Sequence, residues 1–264
     1  MKKTVLFFIA PLFIFAKVHY AKVEPYESVT LKSSVSGLVV DADLDAEGMV
    51  VDSKMVIHLD DALDKVNLED SKSGLKLLEE MHDINNEVAA ALKKTLSRQQ
   101  NHFRRMNSLL TISRTQKDAA YSSFVSAKTQ YMGTKEKVVS LKKQILDMKY
   151  KIAQLEDIIK KKSIILNNKY LYKLIVRKGD FVAPGSPLAK IKDASRAKLV
   201  LFLDTEELKD LESKKVYIDD KETKYKVDKV WNVADEKYIS SYRAEIYMPA
   251  PKGSFSKLVK IELK

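Results

Sequence analysis

From Phe124 to Ile159 the chain repeats with a strict three-four spacing: Phe124, Ala127, Tyr131, Thr134, Val138, Leu141, Ile145, Met148, Ile152, Leu155 and Ile159. That rhythm sustains an a/d seam over five heptads and predicts a coiled-coil helix. The preceding stretch carries the same spacing in two overlapping registers. One runs Leu77, Met81, Ile84, Val88 and Ala91; the other runs Val88, Leu92, Leu96, Gln99, Phe103, Met106 and Leu110. A stripe that drifts between registers is expected where a helix also meets a second neighbour. No proline occurs between Pro25 and Pro184, so nothing interrupts either helix. The pattern breaks only at Ser108–Ser113, where Ser113 followed by Gln116 has the form of an N-cap with its capping-box partner. The prediction is an antiparallel helical hairpin with its turn near Leu110–Ile112 and arms reaching on the order of 70 Å. A rod of this kind has no room for an enclosed active site. Unflanked, it would read as a plain dimerisation coiled coil.

The flanks alternate in the two-residue rhythm of half-buried strands. Before the arms, Ser36-Gly37-Leu38-Val39-Val40 leads through Glu47-Gly48-Met49-Val50-Val51 to Val56-Ile57-His58-Leu59-Asp60. After them, Leu171–Val176 leads through Lys178-Gly179-Asp180-Phe181-Val182 and Pro184-Gly185-Ser186-Pro187-Leu188 to Ile191-Lys192-Asp193. The glycines are expected in turns that need positive φ. Neither half has enough strands to be stable alone. A hairpin whose ends lie together would bring the two side by side as one small sandwich. Beyond it, Lys198–Asp204, Val216–Ile218, Tyr225–Trp231, Tyr242–Met248 and Leu258–Leu263 read as strands, and Glu206–Leu211 as a short helix.

The N-terminus adds a compartment. Met1-Lys2-Lys3 precedes an apolar run, Val5–Ala16, too short to span a bilayer but suited to a signal-peptide core. Ala16 and Ala21 are the candidate cleavage points, giving residues 1–21 as a signal peptide, with an uncleaved anchor as the alternative. The 264 residues hold no cysteine, which excludes disulfides, thiolate nucleophiles, Cys-ligated metals and a lipid-modified N-terminal Cys. The formal charge of +11 raises nucleic acid as a partner only if the basic residues cluster. They read as dispersed apart from the run Lys160, Lys161 and Lys162, so no nucleic-acid partner is expected. That run is instead a candidate contact for lipid headgroups or an acidic partner, and so for peripheral membrane association.

Catalytic chemistry finds no footing. His19, His58, His82 and His102 have no metal-ligand spacing, and there is no phosphate loop or nucleophile elbow. Adjacent acids such as Asp60-Asp61 and Asp219-Asp220 read as surface carboxylates. No enzyme activity, cofactor or metal is expected.

The paired halves, Ser36-Gly37…Glu47-Gly48-x-Val50-Val51…Leu59-Asp60 and Lys178-Gly179-Asp180-x-Val182-x2-Gly185-x-Pro187-Leu188-x2-Ile191-x-Asp193, with a coiled coil inserted between them, resemble the periplasmic adaptor (membrane fusion protein) family of HlyD- and RND-type efflux systems. The resemblance implies an elongated α+β, multi-domain chain. It would comprise an N-terminal strand and first lipoyl-like half (22–60), a long antiparallel α-helical coiled-coil hairpin (61–166, tip near 108–113), a second lipoyl-like half (167–194) and a β-barrel domain (195–264). A further membrane-proximal domain would be absent or rudimentary. Gly37, Gly48, Gly179, Asp180 and Gly185 would form the turns of the split lipoyl-like β-sandwich. The implied partners are an inner-membrane RND-type transporter, a TolC-like outer-membrane channel and further copies of the chain in a homo-oligomeric ring. An ABC-type exporter or type I secretion system is the alternative assembly, and a free-standing periplasmic coiled-coil scaffold the alternative role. Many members carry an Arg, three residues, a Leu, six residues and a Ser at the hairpin tip. Arg105 and Leu109 match the first part; Ser113 follows after three residues instead of six. A lipoylated or biotinylated carrier is disfavoured, because the helical arms replace the turn that would bear the modified lysine.

Overall fold

A computed structural model describes residues 17–264, apart from Glu236 and Ile239. The signal-peptide core falls outside these residues. Strands β1 (Val18–Lys32), β2 (Gly37–Ala42), β3 (Val50–Val51) and β4 (Lys54–Leu59) precede helices α1 (Ala62–Ser108) and α2 (Arg114–Lys162). Strands β5 (Ser163–Leu166), β6 (Lys169–Leu174), β7 (Phe181–Val182) and β8 (Pro187–Leu203) follow. Then come β9 (Val216–Ile218), β10 (Lys221–Glu222), β11 (Lys229–Ala234), β12 (Tyr242–Pro249) and β13 (Leu258–Leu263). Among the described residues no helix is long and apolar enough to cross a membrane.

Two hydrophobic cores are strung along the same pair of strands. In the first, β5-β4-β2-β7 form one sheet, and Val39, Leu59, Leu171, Leu174 and Leu188 are fully buried against one another. In the second, Leu199, Leu201, Leu203, Ile246 and Ile261 fill the space enclosed by β1, β8, β12, β13 and β9. Antiparallel β1 and β8 run through both cores. Their ladder pairs Val23–Pro25 with Leu199–Ala197, slips at a bulge, and resumes from Glu27↔Asp193 to Lys32↔Pro187. The expected boundary at 194/195 is therefore a register shift inside a continuous strand. The last unit also takes in the start of β1, whose Val18–Lys22 pair with Glu262–Leu258 and whose Ala21 is buried. A cut after Ala21 would sever that strand; a cut after Ala16 leaves it whole.

The expected helix at Glu206–Leu211 does not form. Asp204 and Glu207 exchange backbone-to-carboxylate hydrogen bonds of 3.1 Å in the manner of a capping box. The chain then makes only turns, passes Asp210 at φ 55° and closes a single 3-10 turn at Leu211–Ser213. A left-handed residue at that point stops propagation. The strand expected at Tyr225–Trp231 starts later, at Lys229.

At the joint between the cores, Lys169 donates to Asp193 at 2.7 Å and Ser195 donates to the same carboxyl group. The lysine contact first and the serine contacts second hold the Asp193 pKa at about 2, below its ordinary 3.8. A depressed carboxyl contributes stability that is complete above the unfolded-state value and is lost as pH falls through the folded one. Asp193→Asn is thus expected to lower the denaturation midpoint at pH 7. The deficit should shrink below pH 4 and vanish near pH 2, as read by urea titrations at three pH values.

Candidate functional site

The hairpin is the feature with functional geometry. Each seam residue of α2 named from the sequence is buried or half-buried, with Ala127, Leu141 and Ile145 buried. On α1 the half-buried residues include Leu68, Leu75, Leu78, His82, Asn85, Ala89, Leu92, Leu96, Gln99, Phe103 and Met106. Among the described residues α2 is the main element beside α1, so this set is the face turned to it. The second sequence register therefore packs inward from Leu92 to Met106, while its first member, Val88, is exposed. The first register, Leu77, Met81, Ile84, Val88 and Ala91, points away from the hairpin; Ile84 is 55% exposed. An apolar stripe of the same kind runs along α2 through Tyr121, Val125, Met132, Val139, Leu146 and Tyr150, with Leu146 60% exposed.

The two stripes lie on opposite edges. Lys72 meets Glu156 at 3.3 Å and Glu79 meets Lys149 at 2.9 Å across one edge of the pair. Leu146 shares a groove on that edge with Glu79, Lys142 and Lys149. Leu77, Met81, Ile84 and Val88 occupy the helical positions on the other side of the seam, and so the other edge. The same ion pairs set the levels of the antiparallel arms: Leu77–Val88 stand level with Tyr150, Leu146 and Val139. Charge differs in balance between the edges as well. Asp70, Glu80 and Glu87 border the α1 stripe; Lys128, Lys135 and Lys142 border the α2 stripe, whose grooves also hold the acids Glu136 and Asp83. None of the six bordering residues has an ion-pair partner among the described residues.

The tip closes over an aromatic cluster in which Phe103 lies 5.4 Å from Tyr121 and 6.0 Å from Phe124 between ring centroids. Helix α1 stops because Leu109 turns extended, with ψ at 128°. Lys117 Nζ then donates to the orphan carbonyl of Asn107 at 3.3 Å. Helix α2 starts from Ser113: its Oγ accepts from Gln116 N–H at 3.3 Å, while Ser113 N–H donates to Gln116 Oε1 at 3.2 Å. The capping box therefore occupies the Ser113 hydroxyl, leaving it to shape the turn. Arg105 is exposed without a carboxylate partner among the described residues, and Leu109 is 49% exposed. Sequence reasoning puts Leu110 both at the end of the seam and in the turn, but not among the contact residues of the tip. It stands outside the hairpin at 99% exposure and forms the apex. The extra apolar residue beside Leu109 in the interrupted segment was the available signal.

The base is an ionic clamp. Lys162 donates to the carbonyl of Asp60 at 2.7 Å and pairs with Asp64, and Lys161 donates to Asp157 at 2.5 Å. His58 contacts Ser163 Oγ at 3.2 Å and Asp61 at 3.4 Å, and Lys65 meets Asp61 at 3.0 Å. The Lys160–Lys162 run is consequently not a free basic patch. Lys162 is largely buried, Lys161 is paired, and Lys160 alone faces solvent without an ion pair. Three lysines in the last turn also complement the helix dipole.

The glycine turns join the two halves of the first core. Gly48 (φ 80°) donates to Leu171 O at 2.8 Å, and Leu171 N–H donates to Met49 O at 2.9 Å. Gly179 (φ 95°) donates to Val39 O at 2.8 Å, while Asp180 O accepts from Val39 N–H at 2.8 Å. Asp180 also accepts from Arg177 N–H at 2.7 Å to tighten that turn. Gly185 (φ 90°) donates to Ser33 O at 2.8 Å. Gly37 differs from the expectation: it opens β2 in extended backbone, paired with Val182. Its reason is proximity, since an added Cβ would lie 3.2 Å from Leu59 Cβ in the core. Gly37→Ala is expected to destabilise by about 1–2 kcal/mol through overpacking. Gly179→Ala, with open space around it, is expected to cost about 1 kcal/mol of backbone strain. Thermal melts of both variants check the pair.

Two sheet cores strung on shared strands, with a helical hairpin projecting from one of them, define the class of fold: that of the membrane fusion, or periplasmic adaptor, proteins. Over 94% of this chain and 78% of theirs, the structure superposes on MacA from Actinobacillus actinomycetemcomitans with a TM-score of 0.71 at 14% identity. A MacA–MexA chimera carrying the Pseudomonas aeruginosa MexA α-hairpin gives 0.56 at 14% identity, over 94% and 80%. The membrane fusion protein Spr0693 from Streptococcus pneumoniae R6 gives 0.50 at 11% identity, over 94% and 99%. No protein-family model matches the sequence, and no curated protein is similar to it.

Proposed function

We propose that the chain is a non-enzymatic periplasmic adaptor, a ring-forming subunit that links an inner-membrane transporter of the RND or ABC type to a TolC-like outer-membrane channel. In this reading the first core is the lipoyl-like domain and the second the β-barrel domain. The hairpin forms the wall of a conduit and the apex meets the channel. The observation that carries the reading is the pair of unpartnered apolar stripes at one height on opposite edges of the hairpin. A stripe on a single edge would suit a two-fold dimer, in which each copy offers the same patch. Stripes on opposite edges suit a head-to-tail contact, α1 of one copy against α2 of the next, and equal height lets the series close as a ring. Acids beside one stripe and lysines beside the other favour that pairing and its parallel orientation.

The test is co-purification. Affinity-tagged chain drawn from detergent-solubilised envelopes should bring down both a transporter and an outer-membrane channel. A variant with residues 62–162 replaced by a short Gly-Ser link should keep the transporter and lose the channel. Loss of neither partner on removal of the hairpin would reject the reading.

A further inference from the structure

The charge of the hairpin is unevenly placed along its length. Between Val88 and Lys135 there are nine Lys and Arg residues and a single acid, Asp118. The basic excess, which reads as dispersed apart from Lys160–Lys162, therefore resides mainly on the distal half of the hairpin, where it includes the doublets Lys93-Lys94 and Arg104-Arg105. Four of the seven arginines in the chain, Arg98, Arg104, Arg105 and Arg114, fall within this stretch. Apart from Lys117, which caps α1, all nine are exposed. None has a carboxylate within ion-pair distance among the described residues; nearer the base, where Lys65, Lys72, Lys149, Lys161 and Lys162 are paired and Lys76, Lys143 and Lys151 are not, residues 62–87 and 136–162 together hold eleven lysines against eleven acids.

Unpaired like charges on one rod repel each other and repel the same region of a neighbouring copy. Side-by-side packing nearer the base has apolar stripes and opposite charges to hold it; the distal half has a surplus of one sign. Something acidic has to neutralise that surplus before neighbouring distal shafts can lie together. The spread of the charge says what shape it has. Lys93 lies roughly 25 Å up the shaft from Leu110, at 1.5 Å per residue. A flat anionic lipid surface touching the apex would be screened from Lys93 and Lys94, because the Debye length is only about 8 Å at physiological salt. A partner that rises along the shaft would reach them. Guanidinium forks near the apex suit carboxylates, which they bind in bidentate fashion.

We propose that the distal half of the hairpin is a cationic plug for a carboxylate-lined protein socket, one deep enough to enclose the shaft as far as Lys93. The inference rests on the reading of the tip as the docking end and adds to it the depth and chemistry of the partner. It also makes closure of the distal ring conditional on that partner.

The probes are poly-L-glutamate and vesicles of phosphatidylethanolamine with 30% phosphatidylglycerol, each titrated with full-length chain at several salt concentrations. The shaft variant Lys93→Gln/Lys94→Gln/Arg98→Gln is compared with a charge-matched control nearer the base, Lys76→Gln/Lys143→Gln/Lys151→Gln. All six are exposed, and circular dichroism confirms that helicity is kept. The expected result is at least tenfold weaker, less salt-dependent polyglutamate binding for the shaft variant, less than a twofold change for the control, and vesicle binding that the shaft variant leaves unaltered. Equal losses for both variants, no polyglutamate binding by the parent chain, or tighter binding to vesicles than to polyglutamate would overturn the proposal. A companion experiment separates it from the channel reading: a cysteine at Leu110 should capture the outer-membrane channel less efficiently in the shaft variant. Undiminished capture would sink the socket and leave the channel reading standing. No capture by the parent, with the polyglutamate result intact, would sink the channel reading and support the acidic socket.

Discussion

Ile84→Glu combined with Val88→Glu is expected to abolish self-association while leaving the hairpin folded. Both side chains point away from α2 and neither touches a core, so the monomer loses nothing by the change. In the ring their partners would be Leu146 and Val139 of the next copy, and seating two carboxylates against those side chains leaves buried charge unpaired. A penalty of a few kcal/mol per interface is about a hundredfold in association. Analytical ultracentrifugation should find the parent chain in higher oligomers and the variant as monomer, with equal helicity in both. A second substitution sharpens the account: Leu146→Lys in the same chain supplies the opposite charge across the interface and should recover part of the association. Recovery requires that the two stripes meet; a shared general loss would leave the double-edge variant worse than either alone.

Replacing Leu109 and Leu110 together with aspartate is expected to eliminate docking at the tip and leave the ring intact. These two residues are the apolar apex, one half exposed and the other wholly so. Their loss removes apolar contact and places two acids at the end of a cationic shaft, where an acidic partner would be repelled. Ser113→Ala belongs in the same experiment as a contrast. It removes an N-cap that costs about 1 kcal/mol in a long helix and frays the first turn of α2, with a small effect on docking. Channel co-purification should fall to background for the leucine pair and stay near the parent level for Ser113→Ala. Equal losses would mean that the turn conformation, and not the apex, makes the contact.

Which parts of this arrangement could be read from the sequence follows from how each is built. Helix α2 is legible position by position because its seam is uniformly apolar or small, from Phe124 to Ile159. Helix α1 is not, because its inward face holds Ser71, His82, Asn85 and Gln99 while Leu77, Met81, Ile84 and Val88 lie outside. Two apolar registers in one helix signal two neighbours, but the neighbour that takes each register is set by tertiary packing. Gly48, Gly179 and Gly185 are legible as turns, since positive φ is costly for any other residue type. Gly37 needs the position of Leu59, which only the folded sheet supplies. Charge shows the opposite error. Of the conspicuous run Lys160–Lys162, Lys161 and Lys162 are consumed by Asp157, Asp64 and the Asp60 carbonyl, which lie one turn or one whole hairpin away in sequence. The distal excess consists of single residues and the doublets Lys93-Lys94 and Arg104-Arg105, gathered toward the tip because the hairpin folds back on itself. Leu110 was legible as part of the turn, but its full exposure, which makes it the apex, is set by how that turn folds.

Cross-linking from the apex tests the linking role most directly, and the cysteine-free chain makes it clean, since an introduced thiol is the only one present. A photoreactive or maleimide group on cysteine at position 110, activated in intact cells, is predicted to capture an outer-membrane channel. The same group on cysteine at position 84 is predicted to capture only further copies of the chain. Failure of the apex to capture an outer-membrane protein, with the stripe still capturing copies, would contradict the adaptor and leave a self-assembling periplasmic scaffold.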